Sequence, residues 1–279
     1  MTFCDSHLHL SKCNAFFSFS QEKKYMAVSS CHSREDFEFL GASLAPLGAG
    51  VPPFADAHSF TTLRNSGAPY PCAFASFGIH PQAVNPSYME KDFSSDLAYL
   101  ESLLETKKIV AIGECGFDFF TPDFKSTTRE QEIAFESQLD LAQKYKLPLV
   151  LHLRKSIEKI FTYSRELKKV PAVIFHSFPG TLREAESLKN HGLNAFFSFG
   201  KPLLNGKKSA IDCVKNLPLK NILLETDAPY QTLKDEEFTS PQEIERVYRA
   251  ASEIRGISME ELAAVIEENF TRAFQSYFA

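Results

Sequence analysis

The sequence predicts an α/β protein, a (β/α)8 TIM barrel in a single domain. Three observations lead there. Eight short apolar segments rich in β-formers recur along the chain; longer segments with helical periodicity separate most of them; and polar residues gather at the C-terminal ends of those apolar segments. A length of 279 residues would allow two domains of ~150 residues, but α/β barrels of ~250 residues form one.

The predicted strands, in order, are FCDSHLHL, YMAVSS, CAFASFGIH, IVAIGECG, LPLVLHL, PAVIFHS, NAFFSFG and NILLETDAP. In the first, Asp5, His7 and His9 alternate with other residues, and alternate side chains of a strand share a face. Between strands, TTREQEIAFESQLDLAQKYK puts Phe135, Leu139 and Ala142 on one helical face, and SIEKIFTYSRELKK does the same with Ile157, Ile160, Phe161 and Leu167. The stretch from about 41 to 71 is rich in Gly and Pro with little periodicity, and reads as a long loop insertion over the exit of the second strand. Near the C-terminus, SMEELAAVIEENFTRAFQSYF opens on Ser258 as an N-cap with Glu261 three residues on, predicting a terminal helix packed on the barrel.

Composition narrows the function. A hydrophobic content of 44% with 26 Phe supplies a sizeable core, and 23% charged residues suit an ordinary soluble surface. No run approaches the ~18 apolar residues of a membrane span, and the N-terminus lacks a signal-peptide pattern, so a cytoplasmic protein without a membrane partner is expected. The six cysteines contain no CxxC pair and read as reduced thiols. A net charge of −5 excludes a broad basic surface that would hold nucleic acid by counterion release alone, though not a local basic channel. Nothing in the sequence requires an obligate protein partner.

The polar residues at the strand ends carry the chemistry. His7 and His9 end strand 1, His80 strand 3, Glu114 strand 4, His152 strand 5, His176 strand 6 and Asp227 strand 8. Singly, each admits a structural role, as a turn former, a satisfied core residue or an ion pair such as Glu114 with Arg154. Together they occupy the mouth where parallel barrels keep their active sites. Four imidazoles (His7, His9, His152, His176) and two carboxylates (Glu114, Asp227) suit Zn²⁺, Mn²⁺ or another divalent ion. Six ligands exceed one open tetrahedral site, so two ions ~3.5–4 Å apart are expected, with Glu114 as the bridge.

Two such ions lower the pKa of water from 15.7 toward ~7 and neutralise charge on a displaced phosphate, so the predicted reaction is hydrolysis. Asp227 is the expected general base, and Arg154, two residues beyond His152 on the same strand face, is expected with His80 to hold substrate phosphate oxygens. There is no GxSxG, GxxxxGK[ST] or GxGxxG signal. A Cys115 nucleophile is disfavoured by the adjoining carboxylate.

The pieces DSHLHL, GIHP, AIGECGFDFF, QEIAFESQLDLAQKYKLPLVLHLR, HSFPG, LLETDAPY and NFTRAF, in this order, resemble the TatD family of metal-dependent deoxyribonucleases among the amidohydrolase-like barrels. The resemblance implies a dinuclear centre in which His7, His9, Glu114 and Asp227 hold one ion and Glu114, His152 and His176 the other. It implies phosphodiester hydrolysis, typically trimming DNA from a 3′ end. Two departures stand out: the 41–71 segment, and a stretch after DAPY that is acidic through Asp235, Glu236 and Glu237 where the family usually carries a basic loop. Hydrolysis of a small phosphoester, ester or amide is therefore the alternative enzyme reading, and a non-catalytic metal-binding protein a third.

Overall fold

The computed structural model of the chain describes residues 1–13, 24–44 and 72–274. Eight parallel strands run in sequence order around one sheet: β1 (Thr2–Leu8), β2 (Lys24–Cys31), β3 (Cys72–Phe77), β4 (Ala111–Asp118), β5 (Leu149–Arg154), β6 (Val173–Phe175), β7 (Ala195–Phe199) and β8 (Ile222–Leu224). Every expected strand is present. The barrel closes beyond the short β8, where Asp227 N donates to His7 O at 2.9 Å and His9 N donates to Ala228 O at 2.7 Å. Buried Asp5 reinforces that seam by accepting from Thr226 N (3.0 Å) and Thr226 Oγ1 (2.6 Å).

The helices cover the strands with the faces the periodicity marked. Helix α1 spans Arg34–Leu44, so the first four residues of the expected 41–71 loop end a helix; the remainder of that segment lies outside the described residues. Helices α2 (Pro86–Lys91) and α3 (Phe93–Glu105) follow β3. After β4 come α4 (Pro122–Ser126) and α5 (Thr128–Tyr145), the latter burying Phe135, Leu139 and Ala142. The stretch after β5 breaks into α6 (Ile157–Thr162) and α7 (Ser164–Leu167), whose Ile160 and Leu167 are fully buried. Helices α8 (Leu182–Asn190) and α9 (Lys208–Asn216) flank β7, and α10 (Ile244–Arg255) and α11 (Met259–Phe274) complete the coat. Ser258 caps α11 as expected, its Oγ accepting from Glu261 N at 3.1 Å. Among the described residues no helix is long and apolar enough to cross a membrane.

Two strands depart from simple alternation where they meet the mouth. In β1, Asp5 pairs with Ala27 but Leu8 with Ser29, three residues advancing against two, which is a bulge. It turns Asp5 toward β8 and leaves His7 and His9 facing the centre. In β4, Ile112 pairs with Leu149 and Cys115 with Leu151, so a second bulge sits at Gly113 and Glu114. Gly113 has φ +142°, and a Cβ there would lie 2.4 Å from Val150 O. No side chain fits between those strands, and glycine alone adopts this backbone readily. Gly113→Ala should therefore destabilise the protein by about 3 kcal/mol or more; urea unfolding monitored by circular dichroism measures the loss.

Candidate active site

Glu114, delivered by the β4 bulge and only 3% exposed, stands at the centre of the mouth. Its Oε2 lies 3.3 Å from His7 Nε2, 3.5 Å from His32 Nε2 and 3.8 Å from His9 Nε2. Its Oε1 lies 2.5 Å from His152 Nδ1, 3.1 Å from His176 Nε2 and 3.4 Å from His80 Nε2. Asp227 Oδ1 joins the first group, 3.4 Å from His9 Nε2 and 3.7 Å from His7 Nε2. The two oxygens of one carboxylate thus divide the imidazoles into two sets.

Burial alone would raise the Glu114 carboxyl, but the imidazoles of His176, His80, His152 and His7 outweigh it and hold the group well below its usual range. Burial likewise opposes ionised Asp227, yet the hydrogen bond from His9 and the neighbouring His176 and His7 bring it below the ordinary value. Both carboxylates are therefore anionic. Burial, with His176 beside it, keeps His7 below its usual range, and burial takes His80 down to about 4. Burial also works against charging His176, but Glu114 and Glu225 carry it well above the imidazole range.

An outer ring of acceptors fixes which nitrogen points inward. His152 Nε2 lies 3.1 Å from Asp118 Oδ2, which leaves Nδ1 toward Glu114. His176 Nδ1 lies 3.3 Å from Glu225 Oε1, which leaves Nε2 toward Glu114. This carboxylate–imidazole arrangement typically orients metal-binding histidines. Asp118 is itself held by Gln82 Nε2 at 2.7 Å; burial would raise its carboxyl, but His152, Gln82 and the Phe120 N–H lower it to about 2. Asp227 Oδ2 accepts from Gln231 Nε2 at 2.9 Å, and the same amide nitrogen donates to Ser177 Oγ at 2.8 Å. Ser177, Asp227 and Gln231 all adopt positive φ (43°, 56° and 53°). Such left-handed backbone at non-glycine residues costs of order 1–3 kcal/mol each and clusters at functional sites.

The residues present fit a metal centre. Among the described residues Nε2 of wholly buried His7 has no hydrogen-bond partner although it is aimed at the Glu114 and Asp227 carboxylates, as a nitrogen that is to hold an ion would be. Three groups of donors have ligand atoms within 4.8 Å of one another: His7, His9 and Glu114; His7, His176 and Asp227; and His80, Glu114 and His152. Every metal ligand expected from sequence belongs to one of these groups. His80 belongs to one as well, and its Nδ1 accepts from Gln82 N at 3.2 Å, so its Nε2 carries the hydrogen.

The cluster floors a cavity of about 600 Å³. Arg154 lines it, its guanidinium 3.9 Å above the Phe120 ring and 3.8 Å from Asp118, so its ion-pair partner is Asp118 and not Glu114. Cys115 faces away from this chemistry: it is fully buried and burial pushes its thiol far up. Sequence reasoning missed His32, directly after β2, although its position at a C-terminal strand end was the signal that found the others. It also missed Asp118, Glu225 and Gln231. The acidic stretch behaves unlike its composition. Glu236 turns inward to Lys201, itself only 1% exposed, and none of residues 235–237 lines the cavity; Tyr230 and Gln231 do.

The sequence model of the family described as TatD related DNase matches residues 4–275. This chain belongs to that family. Among TatD relatives it is 28% identical over 240 residues to the uncharacterized metal-dependent hydrolase YjjV of Escherichia coli, covering 84% of this chain and 89% of that one. The crystal structure of YjjV superposes with a TM-score of 0.75 at 26% identity, covering 98% of each chain. The chain is 30% identical over 210 residues to the 3′-5′ ssDNA/RNA exonuclease TatD of Pantoea ananatis, covering 72% of this chain and 77% of that one. Like other TatD members it is a metal-dependent hydrolase. The TatD barrel here ties its β8 loop down through Lys201, which lies 3.8 Å from Glu243 as well as against Glu236. Glu236→Ala removes that partner, leaves the buried ammonium with the longer contact to Glu243 alone and should lower stability. A shift in the urea midpoint at constant slope measures it.

Proposed function

We propose that this chain is a divalent-metal-dependent deoxyribonuclease that hydrolyses phosphodiester bonds with two ions. The carrying observation is Glu114, whose Oε2 faces His7 and His9 while its Oε1 faces His152 and His176. In this reading His7, His9, Glu114 and Asp227 hold one ion, and Glu114, His152 and His176 the other. When bound, the ions acidify water and offset negative charge on the phosphate. Zn²⁺, Mn²⁺ and Mg²⁺ all suit such a donor set, nitrogen-rich ligation favouring the first two.

The protein's own residues do the remaining work. Asp227, oriented by Gln231 through Oδ2, accepts the proton of the attacking water. His80, with its hydrogen on Nε2, and Arg154, with a side chain 42% exposed, donate to nonbridging phosphate oxygens. A cavity of about 600 Å³ among the described residues suits a strand end or a single strand better than paired bases. The name of the Pantoea relative supports a single-stranded nucleic acid substrate. The small-ester alternative drew its sequence support from the acidic loop, and that support weakens because Glu236 is engaged by Lys201. A reducing, cytoplasmic setting is part of the proposal, supported by Cys4, Cys13, Cys31, Cys115 and Cys213 all being free thiols.

Chelator-stripped protein should lose cleavage of labelled oligonucleotides and regain it with Mn²⁺, Zn²⁺ or Mg²⁺. Glu114→Ala, checked for folding by circular dichroism, should lose more than the ~10–100-fold typical of outer-ring partners. Cleavage that survives both treatments refutes the reading, and small esters outperforming oligonucleotides under matched conditions replace its substrate. Metal binding should also be visible without turnover: adding Mn²⁺ to the stripped protein should stabilise it by about 3 kcal/mol per ion at a hundredfold excess over Kd. Thermal melts of the wild type and of Glu114→Ala compare the effect directly.

A further inference from the structure

Among the described residues six imidazoles face Glu114, and five of them have a role in the proposed function. His32 was not. It follows β2 and reaches the cavity from the side opposite His176, with its ring 5.0 Å from His9 and 5.0 Å from His80 between centroids. The imidazoles are graded by depth: side-chain exposure is 0% for His7, 5% for His9, 7% for His176, 10% for His152, 15% for His80 and 25% for His32. The donors that share potential ion positions are the deep ones. His32 belongs to none of the three groups whose atoms lie within 4.8 Å of one another, and it stands at the cavity surface where a substrate arrives.

Its backbone is held in place. His32 N donates to Asp36 Oδ2 at 3.4 Å, and Asp36 in the first turn of α1 is fixed by Lys12 Nζ at 2.6 Å and Ser11 Oγ at 3.1 Å. Such anchoring of a half-open side chain at a site mouth is what preorganised substrate contacts need. His32 Nε2 is 3.5 Å from Glu114 Oε2, at the outer limit of a hydrogen bond, so an oxygen entering the cavity competes for it on favourable terms.

We propose that His32 is a substrate-contacting residue, its Nε2–H donating beside His80 to a nonbridging oxygen of the phosphate. This rests on the phosphodiesterase reading above and extends it to a residue that reading does not use. No ion is held by His32 in this arrangement, and loss of the side chain leaves the metal centre loaded.

The test uses the full chain loaded with Mn²⁺ and three readouts on His32→Ala and His32→Gln: metal content by elemental analysis, affinity for inorganic phosphate by calorimetry, and KM with kcat on a short oligonucleotide. For His32→Ala the expected result is unchanged metal content with phosphate affinity weakened about tenfold and KM raised similarly, the loss of one hydrogen bond to a charged group. His32→Gln, which keeps an N–H donor, should recover most of it and guards against a folding defect in the alanine variant. A fall in metal content would make His32 an ion ligand and overturn the proposal, as would phosphate affinity equal to wild type in both variants. Phosphate binding is read without turnover, so failure here is separable from failure of the hydrolase reading.

Discussion

One buried carboxylate organises this molecule. Glu114 is almost wholly removed from water, and an ionised carboxylate in that position is tolerated only if its environment replaces the lost hydration. Among the described residues six imidazoles supply the replacement, one or two from each of β1, β2, β3, β5 and β6 or their exits. A parallel barrel is suited to this because the C-terminal ends of its strands converge whatever their separation in sequence. The requirement then propagates outward. Glu114 can reach the axis only because β4 bulges, and β4 can bulge there only because Gly113 lets β5 pass within the reach of a missing Cβ.

The next layer explains why particular helices sit where they do. Helix α5 is amphipathic in the usual sense, with Phe135 and Leu139 in the core, yet it also buries two glutamines one heptad apart. Gln138 pairs with the backbone of Ile79, accepting at 2.7 Å and donating at 3.1 Å, just before His80. Gln131 does the same for the backbone of Asp118, at 2.9 Å and 3.1 Å. A single rigid helix therefore fixes the exits of two strands, and through them the orientation of His80 and of the carboxylate that directs His152. Such satisfied buried amides specify geometry in a way apolar packing cannot, since each bond has a direction.

These layers also mark how far the sequence is legible. The strands read clearly because parallel strands buried on both faces are continuous apolar runs, and polar exceptions at their ends are conspicuous against them. His7, His9, Glu114, His152, His176 and Asp227 were visible for that reason. Asp5 looked like a third member of the face that carries His7 and His9, and strict alternation would have put it there; the bulge between Asp5 and Leu8, which no local residue pattern announces, sends it to Thr226 instead. Asp118, Glu225, Gln131 and Gln138 were illegible because their importance lies in a partner far away in the chain. The acidic stretch after Asp227 illustrates the same limit with opposite sign: composition gives the charge of Glu236, but only the fold reveals that Lys201 lies beneath it.

The proposed function requires a chain of net charge −5 to meet an anionic substrate. At physiological ionic strength exposed charges more than ~8 Å apart are largely screened, so the net charge governs the mouth far less than the groups lining it. There Arg154 and Lys207 line the cavity, while Asp118 is engaged by His152 and Gln82, Asp227 by Gln231 and the deep imidazoles, and Glu236 by Lys201. Among the described residues the acidic groups nearest the opening are thus already engaged by donors of the fold, and Arg154 and Lys207 are the cationic side chains that line it. Under the proposed function a cavity of about 600 Å³ lined by these two cationic side chains suits a short reach of nucleic-acid backbone, because the charges that count are the few local ones and not the sum over the chain.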